Sequence, residues 1–113
     1  MEAEKIPILI LHGWGRGALS WQKIKGLLES SGFSVLAPDL PGFGANPMPP
    51  VPWKLDDYVE WVKGFSQENG FSRFFLLGHS FGGRVAIKFS LKYPEKIHGL
   101  MLVSSGGVEN EKT

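Results

Sequence analysis

The sequence predicts an α/β protein, a three-layer sandwich of one parallel sheet with helices on both faces. Three observations lead there. Apolar runs alternate with helical patterns along the 113 residues, and strict alternation of strand and helix calls for parallel strands covered on both sides. The apolar runs show no polar alternation, as expected of strands buried on both faces. Finally, the first three runs end in "HGWGRG", "DLPGFG" and "GHSFGG", which puts unusual backbone at the carboxyl edge where such sheets hold ligands.

The elements follow in chain order. "IPILILHG" reads as the first strand. A helix follows, with Ser20 as N-cap, Trp21, Ile24, Leu27 and Leu28 on one apolar face, and Gly32 past its end. "FSVLAPDLPGFG" is a second strand running into a turn. "NPMPPVPW" at 46–53 resembles a proline-rich ligand, but its place between two regular elements favours a plain loop. Leu55, Tyr58, Val59 and Val62 recur at helical spacing, and Asp56 and Asp57 fall in the first turn, where the helix dipole favours them. "RFFLLG" is the third strand, Val85, Ala86 and Phe89 mark a third helix that Pro94 ends, and "IHGLMLVSS" is the fourth strand.

Composition narrows the function. A net charge of +1 without a basic cluster gives no reason to expect nucleic acid or an anionic membrane. The absence of cysteine excludes disulfides and thiolate metal sites, and three scattered histidines have no metal-ligand spacing. No metal or cofactor is therefore expected, and the protein partner is unknown. The N-terminus, "MEAEK", is acidic and precedes an apolar run too short for a signal or membrane segment, so the cytoplasm is the expected location. The length allows one domain, residues 1–113.

Gly78-His79-Ser80-Phe81-Gly82 fits G-x-S-x-G. Alone the pattern is weak, but here it follows an apolar strand directly and opens a helix, the setting that lifts a serine Oγ above the sheet. Glycines flank such a serine because the turn brings backbone too close for side chains, and Gly83 extends the permissive stretch. The helix dipole favours negative charge developing at the serine. Acyl transfer also needs two N–H donors aimed at the oxyanion. The Phe81 amide is one. The loop after the first strand supplies the other, with Trp14 the candidate, beside Gly13.

Together, "ILHGWG", "DLPGFG" and "LLGHSFGG" resemble the α/β-hydrolase superfamily, closest to its small cap-bearing serine hydrolases, from Ile6 to about Val108. The resemblance implies the sheet order second-first-third-fourth, Ser80 as nucleophile, and the Trp14 and Phe81 amides as oxyanion hole. It implies acyl-enzyme chemistry on an ester, thioester, amide or activated C–C bond of a small carbonyl substrate. Serine rather than aspartate at the elbow points away from the dehalogenase and epoxide-hydrolase branches.

The family order is nucleophile, then acid, then histidine, on later loops. Within these residues, His79 adjoins Ser80 but faces away, since neighbouring strand side chains alternate. His98 opens the fourth strand, roughly 20 Å from the site at ~3.3 Å per residue. A Ser80–His12–Asp39 constellation is the sharper alternative; the plainer reading has His12 and Asp39 brace their turns. Glu109 follows the fourth strand but has no histidine to orient. The chain is therefore expected to lack its base, and the uncovered apolar fourth strand points the same way. Both suggest the N-terminal half of a longer hydrolase.

Two rivals come from other classes. Gly13-x-Gly15-x-x-Ala18 with Asp39 farther on matches a dinucleotide-binding fingerprint. Against it, the helix starts near Ser20, too late to receive pyrophosphate, and Trp14 crowds the phosphate approach. The other rival is a pseudoenzyme whose pocket binds without turnover.

Overall fold

A computed structural model describes residues 5–13 and 21–103. Its four strands are β1 (Ile6–Leu11), β2 (Phe33–Leu36), β3 (Phe74–His79) and β4 (Ile97–Val103). They form one parallel sheet in the order β2-β1-β3-β4. Pairing runs Ile8 to Val35 and Phe75, and Phe74 to Ile97, with a register irregularity at Phe74 and Phe75. The helices are α1 (Gln22–Ser30), α2 (Leu55–Glu68) and α3 (Phe81–Lys92), and a short 3-10 turn at Pro94–Lys96 leads into β4.

The β1 side chains divide between two cores, as the period of a strand requires. Leu9 and Leu11 pack with Val59, Val62, Phe74, Leu76, Val85 and Phe89 under α2 and α3. Ile8 and Ile10 pack with Trp21, Val35 and Leu77 under α1. The sheet is thus covered by helices on both faces, with the heavier layer on the α2/α3 side.

Local signals set the helix ends. The Asp57 carboxylate accepts from the Lys54 backbone N–H at 2.8 Å, closing the first turn of α2. Asp56 instead meets Lys88 of α3 at 2.9 Å. Gly32, at φ +97°, lets the chain reverse after α1. Ser20, expected as the N-cap of α1, lies outside the described residues.

The apolar face expected on α1 is only partly buried. Trp21 is buried, but Ile24 is 43% and Leu27 64% exposed. The reason is position: α1 lies chiefly on the edge strand β2, so a stripe spaced for burial reaches past the sheet. A similar condition holds at the other edge. Among the described residues β4 pairs with β3 alone, and Leu100, Met101, Leu102 and Val103 are all exposed.

Candidate active site

The site begins at Ser80. β3 ends at His79 and α3 begins at Phe81, so one residue makes the whole turn. Ser80 has φ +57° and ψ −117°, and it is the one non-glycine residue with positive φ among those described. Side chains avoid this region of backbone space, and a residue held there signals strain stored at a functional turn. The serine is exposed. Its carbonyl accepts from the N–H groups of Gly83 at 2.9 Å and Arg84 at 3.2 Å, which fixes the first turn of α3.

The flanking glycines are sterically required to different degrees. A methyl group at Gly78 would lie 2.6 Å from the Gly82 carbonyl oxygen and 2.7 Å from Gly83 Cα. At Gly82 it would run into the carbonyl oxygens of Leu11 and His12. Gly83 differs: a methyl there would meet Gly78 at 3.5 Å, an ordinary contact. The permissive stretch expected from sequence is therefore narrower than its run of glycines.

The elbow sits against the loop leaving β1. The Gly82 amide donates to the His12 carbonyl at 3.0 Å. A methyl at Gly13 would stand 3.2 Å from Ser80 Cβ and 2.7 Å from His79 Cδ2. The loops after the first and third strands are thus neighbours at the carboxyl edge of the sheet. Phe81 contributes the first N–H of α3, and its ring packs on Phe43 at 5.8 Å and on Tyr58 at 5.1 Å. Trp14, the other expected donor, lies outside the described residues, as do Gly15, Ala18 and Glu109.

The histidines are accounted for individually. His12 is buried, and its Nε2 accepts the Leu40 backbone N–H at 2.9 Å. That leaves Nδ1 as the protonated nitrogen, and it donates to the Gly13 carbonyl at 2.8 Å. Burial pushes the His12 pKa down, against the hydrogen bond to Gly13 and the charge of Asp39. With both ring nitrogens engaged, His12 has no lone pair for the Ser80 hydroxyl. The Ser80–His12–Asp39 alternative therefore fails as a proton relay. Asp39 accepts from the Ala45 backbone N–H at 3.0 Å, while its own carbonyl accepts from the Asn46 side chain. Its carboxylate thus serves the turn in which it stands, which also argues against a ribose-binding role.

His79 hydrogen-bonds through Nδ1 with the Val103 carbonyl at 3.2 Å and lies edge-on to Trp21 at 5.7 Å. That places it on the α1 face of the sheet. His98, near the start of β4, lies tilted against the Phe75 ring at 5.3 Å. A feature that sequence reasoning missed is the support beneath the turn at 39–47. The Tyr58 hydroxyl donates to the Pro41 carbonyl at 3.1 Å, and the Phe43 ring meets His12 edge-on at 5.0 Å. Tyr58 showed in the sequence only as a helix-face aromatic.

A parallel sheet ordered β2-β1-β3-β4 with a strained serine between β3 and α3 defines the class as an α/β protein carrying a strand–serine–helix turn. Residues 6–112 match the alpha/beta hydrolase fold family, and the chain belongs to that family. It is 33% identical over 104 residues to an uncharacterized protein of Mycobacterium bovis, covering 92% of this chain and 30% of that protein. It is 29% identical to the 2-hydroxy-6-oxo-2,4-heptadienoate hydrolase of Pseudomonas putida, covering 95% of this chain and 40% of the enzyme. Among solved structures, a Rhodococcus 2-hydroxy-6-oxo-6-phenylhexa-2,4-dienoate hydrolase superposes with a TM-score of 0.80 at 31% identity, over 90% of this chain and 39% of that one. The chain therefore spans well under half the length of these relatives. No helix among the described residues is long and apolar enough to cross a membrane.

Proposed function

We propose that the chain is the nucleophile-bearing part of a serine hydrolase. The observation that carries this reading is the exposed Ser80 at φ +57°, on a one-residue turn between strand and helix. In the reaction the Ser80 oxygen attacks the substrate carbonyl carbon while its proton passes to a base. The carbonyl π electrons move onto oxygen, where the Phe81 and Trp14 amides receive the charge. Collapse expels the leaving group, which takes up the proton and leaves an acyl-serine. Water attacks this ester in the second half-reaction, its proton passing to the same base. As the acyl C–O bond breaks, the base hands that proton to the Ser80 oxygen, freeing the acid and restoring the serine.

Neither His12, His79 nor His98 is placed to serve as that base, so the catalytic histidine and its acid are supplied from outside residues 1–113. The oxo-dienoate hydrolases and an esterase among the matched proteins support an activated carbonyl or ester-like substrate. The test supplies an external base. With imidazole added, a fluorophosphonate probe is expected to form an adduct at Ser80, located by peptide mass spectrometry and absent from Ser80→Ala. Without imidazole, the chain is expected to hydrolyse a nitrophenyl ester no faster than Ser80→Ala. Equal labelling of the two proteins ends the serine reading, and a clear rate difference without imidazole shows a base within the chain.

A further inference from the structure

The end of the sheet opposite Ser80 carries a second feature. A cleft of about 560 Å³ opens there, lined among others by Lys5, Ser34, Phe71, Ser72, Arg73 and His98. These residues are scattered in sequence, and the parallel register gathers them. Lys5 directly precedes β1, Ser34 lies in β2, residues 71–73 lead into β3, and His98 is near the start of β4. Pairing of Pro7 with Ser34, Ile8 with Phe75 and Phe74 with Ile97 brings all four amino ends together. At ~3.3 Å per strand residue, Arg73 and Ser80 stand roughly 20 Å apart, so the cleft is separate from the candidate active site.

The charge of the cleft is one-sided. Among the described residues no carboxylate lines it. The ion pairs among the described residues, Lys25–Glu29, Lys88–Asp56 and Lys92–Glu60, involve neither Lys5 nor Arg73. An arginine fork matches the oxygens of a phosphate two at a time, a lysine adds a mobile point charge, and serine hydroxyls and an imidazole N–H add single donors. The volume exceeds that of a bare anion and falls in the range of small-molecule sites. Phe71 supplies an apolar wall.

We propose that this cleft binds a phosphate group, held by Arg73 and Lys5 with Ser34, Ser72 and His98 as further donors. The test is titration calorimetry of the chain with inorganic phosphate and, separately, with glycerol 3-phosphate. Saturable binding of at least one is expected. Arg73→Gln and Lys5→Gln should each weaken it about ten-fold, the effect of losing one charge-assisted partner. Both side chains are exposed, so unchanged thermal melts are expected and would separate lost binding from lost folding. Ser80→Ala should bind as the parent does.

Tighter binding of glycerol 3-phosphate would assign the site to a phosphate ester whose organic part rests on Phe71. Equal binding would assign it to the free anion. The proposal is overturned if neither ligand saturates, or if Arg73→Gln and Lys5→Gln bind like the parent. Glu2 and Glu4 precede Lys5 in the chain. Binding that appears only after both are changed to glutamine also overturns the proposal, because the chain's own carboxylates would then fill the cleft.

Discussion

The backbone N–H of Gly82 donates to the carbonyl of His12 across 3.0 Å, tying the first turn of α3 to the end of β1. This bond brings two loops distant in sequence to one edge of the sheet. It also explains why position 82 admits no side chain: the approach that makes the bond puts the Leu11 and His12 carbonyls where a Cβ would stand.

Gly82→Ala and Gly83→Ala should therefore behave oppositely. The first forces backbone apart in a packed turn and is expected to cost about 3 kcal/mol or more. The second meets only ordinary contacts and removes a flexible residue from a helix, so it should be neutral or stabilising by up to about 1 kcal/mol. Urea unfolding of both variants checks the contrast.

Ser80 holds a backbone conformation that glycine adopts without strain. Ser80→Gly is expected to raise stability by about 1 kcal/mol relative to Ser80→Ala, which keeps the Cβ and the strain. Paired thermal melts decide it. Equal melting temperatures would mean that the turn stores no strain.

Gly13 faces the serine. In Gly13→Ala the added methyl presses on the His79 ring and on Ser80 Cβ. The ring can move aside, so the expected stability loss is about 1 kcal/mol. Displacing the serine matters more: the imidazole-assisted rate of fluorophosphonate labelling should fall about ten- to a hundred-fold. A rate equal to the parent's would show that Gly13 does not set the serine's position.

His12 makes stability depend on pH. Its folded pKa lies below the ordinary value of about 6.5 because burial penalises the charged ring. The unfolded chain therefore binds a proton that the folded chain refuses as pH falls below about 6.5, and stability drops in that direction. The contribution is intact above that pH. Removing the ring also orphans the Leu40 N–H, which costs about 1–3 kcal/mol. His12→Ala is expected to be less stable at pH 8 and to lose less on going from pH 7 to pH 5, as read from denaturant midpoints.

The order of strands and helices was legible from the chain because burial on two faces and helical amphipathicity are periodic, local properties. The strand-to-helix junction at Ser80 was legible for the same reason: an apolar run meets a helix pattern with a glycine-flanked serine between. What the chain could not disclose were relations across many residues. His12 read more plainly as a brace than as a proton relay, but the sequence left the relay open; the amide of Leu40, 28 positions away, engages the nitrogen a relay would need. The α1 stripe looked like a buried face until the sheet edge left Leu27 in the open. Periodicity fixes which side of an element is apolar, because it depends only on neighbouring residues. Which hydrogen-bond partner or covering layer a side chain meets depends on how distant segments pack, and only the tertiary structure decides that.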